Sequence, residues 1–219
     1  MQTLPWPLGR RHLDEALSAL RGGALVVYPT ETVYGIGVVL SAGDAGIARV
    51  RDAKDSRRPR PYLVLVHSPE AAFDLWSHVP PVARVLALAA WPGPLTLVGP
   101  ARDGLPAALL SQVETDDGPV ASVAVRVPGD PALRQLLGRL GEPLLSTSAN
   151  VAGSPPPVRG ADVDLDSLQP DLFFEAEACP GGEPSTLMDV IVDPPRILRQ
   201  GAWRPTLVPE GPSSPEETA

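Results

Sequence analysis

The chain has 219 residues, 43% of them hydrophobic, which is enough for one domain or for one large domain with a small appendage. Its net charge of −8 argues against a broad basic surface, so tight, sequence-independent binding of nucleic acid is not expected as its main activity. The single cysteine, Cys179, cannot form an internal disulfide and favours a reducing, cytoplasmic location. The sequence has no secretory signal and no apolar run of about 18 residues, so we expect a soluble protein without a membrane partner.

Short apolar, β-branched runs alternate with segments of helical periodicity along most of the chain. The predicted elements in chain order are helix 12–23, strand 24–29, helix 42–54, strand 62–68, helix 80–91, strands 94–100 and 121–128, helix 130–141, and strands 143–150, 171–177, 185–193 and 196–201. Asp44 is a candidate cap of the second helix, and Gly141 is a good stop for the fourth. This alternation predicts an α/β layer structure. The last three strands follow one another without helices, so we expect some antiparallel pairing and a mixed sheet.

The two ends of this pattern suggest a simple domain organisation. Residues 1–205 are predicted to form one domain. Residues 206–219 are rich in proline, serine and glutamate and are predicted to be a disordered tail.

Several common functional motifs are absent from the sequence. There is no G-x-x-x-x-G-K-[ST] phosphate loop, no complete G-x-G-x-x-G dinucleotide fingerprint and no G-x-S-x-G nucleophile elbow. The three histidines have no metal-ligand spacing with one another or with Cys179. A protein-bound metal is therefore not predicted.

Four polar clusters remain: "YPTETVYGIG" (28–37), "RDAKDSRRPRP" (51–61), "SVAVRVP" (122–128) and "STSANVAG" (146–153). Three of them follow the carboxyl ends of predicted strands, where open α/β sheets bind ligands. Hydroxyls, glycine-containing turns, one ammonium and several guanidiniums are the groups that bind a polyphosphate. Lys54 is the only lysine, because the 18 Lys and Arg residues include 17 arginines. A need for a compact ammonium is a physical reason to keep a lysine there.

Each cluster also has a purely structural explanation. Thr30 and Thr32 could shape a turn, and Arg126 could face solvent at a sheet edge. Lys54 could be a chance exception to the arginine bias. The remaining side chains could be solvated loop residues or helix caps: Arg57, Arg58, Arg60, Ser146, Ser148 and Asn150.

Seven stretches in one order resemble the YrdC/Sua5 family of L-threonylcarbamoyladenylate synthases: the first cluster, the Lys54 segment leading into "RPYLVLV", then "WPGPLTLV", "SVAVRVP", "STSANVAGSPPP", "PSTLMDV" and "ILRQGAW". The resemblance covers about residues 12–203. It implies a twisted sheet of parallel and antiparallel strands with flanking helices and a deep, positively lined cavity. It also implies synthesis of threonylcarbamoyl-AMP from L-threonine, bicarbonate and ATP with release of pyrophosphate, the first step of the t6A modification of tRNA.

The resemblance also implies roles for single residues. Thr32, Arg126 and Ser185 would bind L-threonine, with Arg126 on its carboxylate. Lys54 and Arg60 would be the catalytic residues that hold the ATP phosphates. The other ATP-binding residues would be Arg57, Ser122, Ser146, Ser148, Asn150 and Arg199. The cofactor would be Mg²⁺ carried with ATP, held by phosphates and water more than by the protein.

This chain departs from the family pattern near Lys54, where the family commonly has K-x-R. The third residue here is Ser56 and the arginine is Arg57, so either the loop shifts by one residue or Arg58 substitutes. Longer family members carry a second, C-terminal domain, and the chain resembles the short form.

The implied partners are the downstream transferase machinery that uses the product and tRNA, whose direct binding is expected to be weak. Three alternative functions stay open: a carbamoyltransferase module that forms carbamoyl-adenylate, a non-catalytic RNA-binding module and a nucleotide-binding regulator. Carbamoyltransferases of this type carry cysteine-rich zinc motifs, which a chain with one cysteine lacks. The net charge of −8 disfavours the RNA-binding module.

Overall fold

A computed structural model describes residues 1–54, 62–151 and 153–205. The strands are β1 (Gln2–Pro5), β2 (Val26–Tyr28), β3 (Gly35–Val39), β4 (Leu63–Leu65), β5 (Leu95–Pro100), β6 (Leu110–Thr115), β7 (Gly118–Arg126), β8 (Leu144–Ser148), β9 (Leu172–Glu175), β10 (Thr186–Asp189) and β11 (Arg196–Arg199). The α-helices are α1 (Arg10–Arg21), α2 (Gly43–Ala53), α3 (Pro69–Phe73), α4 (Pro81–Ala90), α5 (Pro131–Leu140) and α6 (Leu165–Leu168). Short 3₁₀ turns cover Leu40–Ala42, Ala107–Leu109 and Gly160–Asp162.

Within the described residues, eleven strands form one sheet in the order β1-β9-β2-β3-β8-β4-β7-β5-β10-β11, and β6 pairs with β7 beside this path. Four pairs are parallel, namely β1–β9, β2–β9, β4–β7 and β5–β10, and the other pairs are antiparallel. The predicted mixed α/β sheet with flanking helices is therefore confirmed. No helix in the described part of the chain is long and apolar enough to cross a membrane.

Two hydrophobic clusters lie on opposite faces of this sheet. On one face, which we call the α1 face, the leucines of α1 and α5 pack against apolar residues of β2, β4, β8 and β9. On the other face, α2 and α4 pack against Val27, Ile36, Val64 and Val125. The periodic apolar residues that predicted α1, α4 and α5 are the ones that face the sheet, as expected for helices that bury one stripe.

The two ends of α5 follow the local rules for helix caps, whereas the start of α2 does not follow the prediction. The Asp130 carboxylate accepts a hydrogen bond from the backbone N–H of Leu133 at 2.8 Å, and Gly141 ends α5 at φ 76°. The prediction that Asp44 caps α2 is wrong, because Ala42 is the N-cap and Asp44 lies in the first turn. The preceding 3₁₀ turn leads directly into α2, so the helix begins two residues earlier than a cap at Asp44 would allow.

The expected antiparallel pairing among the late strands is confirmed. β10 and β11 are antiparallel, but β9 runs parallel to both of its neighbours, β1 and β2. One of these neighbours, β1, was not predicted from the sequence. The predicted tail, residues 206–219, lies outside the described residues, and the domain limits of 1–205 stay a prediction.

Candidate active site

The sheet register places the polar strand residues on one face. Ser146 of β8 pairs with Gly37 and with Leu63, and Leu63 pairs with Ala124 of β7. Paired residues point to the same face, and alternate residues of a strand share a face. The α1 face therefore carries four of the predicted site residues beside its apolar cluster: Ser122, Arg126, Ser146 and Ser148.

The carboxyl ends of these strands do not share one edge of the sheet. β2 and β8 run in the same direction, because both are antiparallel to β3. β7 is parallel to β4, which is antiparallel to β8, so β7 ends at the opposite edge. The loop after β2 nevertheless contacts Arg126, so the site lies on the α1 face and not beyond a single edge.

Thr30 shapes the loop that follows β2. Its hydroxyl donates to the carbonyl of Val33 at 2.8 Å and accepts from the backbone N–H groups of Thr32 and Val33. The turn explanation is therefore correct for Thr30. The Thr32 hydroxyl lies 2.8 Å from Thr30 Oγ1, and its oxygen accepts from Arg126 Nη2 at 3.1 Å.

Arg126 is buried, with only 4% of its surface exposed, so the sheet-edge explanation is wrong. Its Nε donates to the carbonyl of Gly93 at 3.1 Å, and its Nη2 donates to Thr32 and, at 2.5 Å, to Glu31 Oε1. Nη1 forms no hydrogen bond with any described residue. Its two N–H groups are therefore the part of the guanidinium that can receive an anionic ligand.

Glu31 is a site residue that the sequence analysis missed. It forms an ion pair with Arg126 in which the side chains are 18% and 5% exposed, respectively. The signal was available in principle, because a guanidinium buried on an apolar strand needs an anion and Glu31 is the only carboxylate of "YPTETVYGIG". We call Glu31, Thr32 and Arg126 the arginine group.

Lys54 is the C-cap residue of α2, and its ammonium lies against the turn after β8. Nζ donates to the carbonyl of Ser148 at 2.6 Å, to the carbonyl of Asn150 and to Asn150 Oδ1 at 3.2 Å. The three N–H donors thus have three oxygen acceptors. Burial lowers the pKa of Lys54 to about 8.

Ser148 and Asn150 are joined to each other as well as to Lys54. The Ser148 hydroxyl donates to Asn150 Oδ1 at 2.5 Å, and Asn150 Nδ2 donates to the carbonyl of Ser154 at 2.7 Å. The helix-cap explanation is wrong, since α6, the next α-helix, is capped by Asp164. We call Lys54, Ser148 and Asn150 the lysine group.

Ser146 and Ser122 are held by other hydroxyls on the α1 face. The Tyr28 hydroxyl donates to Ser146 Oγ at 2.5 Å, and burial raises the pKa of Tyr28. A Cβ atom at Gly35 would lie 2.9 Å from the Tyr28 ring, so only glycine leaves room for this ring. The Ser122 hydroxyl lies 2.7 Å from that of Ser111 on β6.

Ser185, Arg199 and Thr96 form a third group. We call it the β10 group, because Ser185 directly precedes β10 and the other two residues lie on β11 and β5, the strands on either side of β10. The hydroxyls of Ser185 and Thr96 are 2.8 Å apart, and Arg199 Nη2 donates to the Ser185 carbonyl at 2.8 Å. Val98 of β5 pairs with Ala124, which lies on the α1 face, and Thr96 lies two residues before Val98 on the same strand. Thr96 therefore also lies on the α1 face. Ser185 therefore lies on the same side of the sheet as Arg126.

Comparison with known proteins identifies the family. The family model Sua5_yciO_yrdC, described as "Telomere recombination", matches residues 18–201. The chain belongs to this family. The fold agrees with it: the crystal structure of P. abyssi Sua5 complexed with L-threonine has a TM-score of 0.80 and 29% identity, covering 91% of this chain and 56% of that chain.

Two curated family members are similar over most of this chain. The threonylcarbamoyl-AMP synthase of Pyrococcus abyssi is 33% identical over 193 residues, which cover 85% of this chain and 53% of that protein. The threonylcarbamoyl-AMP synthase of Chromohalobacter salexigens is 35% identical over 179 residues, which cover 81% and 92%, respectively. The chain thus spans about half the length of the first relative and most of the second.

For this family member, the structure brings most of the predicted site residues together on or beside the α1 face. Arg57 and Arg60 lie outside the described residues, as does Arg58. A cleft of about 380 Å³ adjoins Asn150 and is lined by Ser154, Asp162 and Asp164 among others. The deep central cavity implied by the resemblance stays a prediction. In the described ranges, no group of three or more His, Cys, Asp or Glu side chains could hold a metal ion.

Proposed function

We propose that this YrdC/Sua5 family member is a nucleotidyltransferase that makes L-threonylcarbamoyl-AMP from L-threonine, bicarbonate and ATP and releases pyrophosphate. The observation that carries the proposal is that Arg126 of the arginine group and Ser148 of the lysine group point to the same face of one sheet. In the first group Nη1 of a buried guanidinium is open to an amino-acid carboxylate, and in the second the ammonium of Lys54 brings a positive charge to the turn of Ser148 and Asn150, where it would favour phosphates. The names of the relatives and the threonine complex of P. abyssi Sua5 support the same reaction.

The amino-acid half of this reaction belongs to the arginine group and to Ser185 of the β10 group. Arg126 binds the threonine carboxylate through Nη1, while Thr32 and Ser185 provide hydroxyls for the rest of the molecule. The threonine amine attacks the carbon of bicarbonate and water leaves, which gives an N-carboxylate. Holding the amino acid by its carboxylate fixes where this new anion forms.

The nucleotide half belongs to the lysine group with Ser122, Ser146 and Arg199. An oxygen of the N-carboxylate attacks the α-phosphorus of ATP, and the bond to the pyrophosphate oxygen breaks. Such a transfer depends on positioning and charge stabilisation and needs no protein nucleophile. Lys54 and Arg60 are proposed to stabilise the charge on the phosphates.

The proposed cofactor is Mg²⁺ carried with ATP, where it would screen the phosphate charge. Its main ligands would be phosphates and water, because no group of three or more His, Cys, Asp or Glu side chains in the described part of the chain could hold a metal ion. We also propose that the product passes to the downstream t6A transferase machinery, that direct tRNA binding is weak, and that the enzyme works in the cytoplasm.

The test is an assay of pyrophosphate release with ATP and labelled bicarbonate, with and without L-threonine. We expect release only when both bicarbonate and L-threonine are present, with label recovered in threonylcarbamoyl-AMP. Release that ignores threonine but responds to carbamoyl phosphate would indicate a carbamoyltransferase module. No turnover together with measurable RNA binding would indicate a non-catalytic module.

A further inference from the structure

The Glu31 carboxylate has one oxygen that the rest of the site does not explain. Oε1 accepts from Arg126 Nη2 at 2.5 Å, but Oε2 is buried and has no hydrogen-bond partner among the described residues. A buried carboxylate oxygen without a donor is costly, and native structures keep few of them. An unpaired oxygen of this kind beside a candidate ligand site indicates a donor that comes with the ligand.

The position of Glu31 is fixed by close backbone contacts on two sides. A Cβ atom at Gly129 would lie 2.9 Å from Cγ, Cδ and Oε1 of Glu31, so glycine is needed for this approach. The backbone carbonyl of Glu31 accepts from the N–H of Gly181 at 2.8 Å. The carboxylate is therefore held beside Arg126 by the surrounding chain as well as by the ion pair.

A carboxylate in this place would be unfavourable in a site for a simple anion. It occupies Arg126 Nη2 and repels a second negative charge brought to the same guanidinium. An α-amino acid in its zwitterionic form is different, because its ammonium lies next to its carboxylate. The pair of one guanidinium and one carboxylate matches both charges of such a ligand.

We propose that Glu31 is a substrate-binding residue whose Oε2 accepts a hydrogen bond from the α-ammonium of the amino acid, while Arg126 Nη1 binds its carboxylate. The inference rests on the proposed function for the identity of the amino acid, L-threonine. Glu31 then makes the site selective for amino acids over acids that lack the amine. The alternative is that Glu31 only neutralises Arg126 in the folded protein.

The two roles predict opposite results for Glu31→Gln, which keeps the shape of the side chain and removes its charge. Calorimetry measures the binding of L-threonine and of 3-hydroxybutyrate, which lacks the amine. We expect wild type to prefer L-threonine, and Glu31→Gln to lose about 10- to 100-fold in threonine affinity, the scale of one charge-assisted hydrogen bond. The affinity for 3-hydroxybutyrate should stay equal or rise, because the repelling charge is gone.

Glu114→Gln is the matched control, because Glu114 is exposed on β6 and should change neither affinity. If Glu31→Gln does not fold, Glu31→Asp keeps the charge on a shorter side chain and should lower threonine affinity selectively. Equal changes for both ligands, or tighter threonine binding, would overturn the proposal and leave Glu31 as a counter-ion.

The outcomes also separate this inference from the proposed function. Glu31-dependent selectivity for L-threonine without pyrophosphate release would support Glu31 as a substrate-binding residue and contradict the proposed reaction. Threonine-dependent pyrophosphate release with a threonine preference that Glu31→Gln leaves unchanged would overturn the role of Glu31 alone. Wild type that binds neither ligand would contradict both.

Discussion

Arg126→Ala is expected to weaken the binding of L-threonine by about 2–4 kcal/mol, which corresponds to about 30- to 1,000-fold in Kd. The guanidinium is buried and is the cation of the arginine group, so its loss removes the partner of the substrate carboxylate. Calorimetry with L-threonine measures the effect. A folded Arg126→Ala protein with the affinity of wild type would show that Arg126 is only a structural residue.

The ion pair with Glu31 complicates this variant, because Arg126→Ala leaves a mostly buried carboxylate without its cation. Such a change destabilises the fold independently of any ligand. The double variant Arg126→Ala/Glu31→Gln removes both charges and should recover part of the lost melting temperature. Threonine binding should stay weak in the double variant, which separates the loss of stability from the loss of the ligand contact.

The elements that the sequence predicts well are those whose signal is local. The helices α1, α4 and α5 show apolar residues at helical spacing with clear ends, and the strands β2 and β4 are continuous apolar runs. The missed strands lack such signals. β3 contains Gly35 and Gly37 in five residues, and β6 has only Leu110 and Val113 as apolar residues in its six-residue strand, which forms a hairpin with β7.

The pairing of the strands could not be predicted from the sequence, for a different reason. Periodicity shows that β2 and β7 are buried, but their opposite directions result from β3, β8 and β4 lying between them. Three of the polar clusters do lie at the carboxyl ends of their own strands, but these ends do not all lie at the same end of the sheet. Only the three-dimensional arrangement shows that Ser122, Arg126 and Ser146 lie on one face of the sheet.

Residue chemistry predicted which side chains lie close together better than it predicted their individual contacts. Thr32 and Arg126 were predicted from hydroxyl and guanidinium chemistry and do lie together, 94 residues apart in sequence. Glu31 was missed because its role depends on a partner 95 residues away. Two of the three contacts of Lys54 are to backbone carbonyls, which no side-chain pattern can reveal.

Two features of the structure explain why position 54 is a lysine and not an arginine. Its ammonium has three donors and meets three oxygens within one turn, a geometry that suits a compact group better than a planar fork. Lys54 is also only 9% exposed, so a larger side chain would have to displace its neighbours. Chance alone is a poor explanation for a residue with these contacts.

Lys54→Arg is accordingly expected to lose at least about 10-fold in turnover, or about 1.4 kcal/mol of transition-state stabilisation, although the charge is kept. The larger guanidinium disturbs the turn that carries Ser148 and Asn150, both proposed to bind ATP. Overpacking should also reduce stability by about 1–3 kcal/mol, so rates are compared at a temperature where both proteins are folded. Arg51→Lys is the matched control, because Arg51 lies on the same helix with a mostly exposed side chain and should change little.

The pH dependence of the same variant separates the charge of Lys54 from its shape. Burial lowers the pKa of Lys54 to about 8, so the free enzyme loses this ammonium as the pH rises through about 8. If the ammonium is the form that organises the ATP site, kcat/KM for ATP in wild type should fall over this range, because kcat/KM reports the pKa values of the free enzyme. Lys54→Arg should lose this alkaline decline, since arginine stays protonated. A variant with wild-type turnover and an unchanged pH profile would mean that Lys54 is an accident of composition.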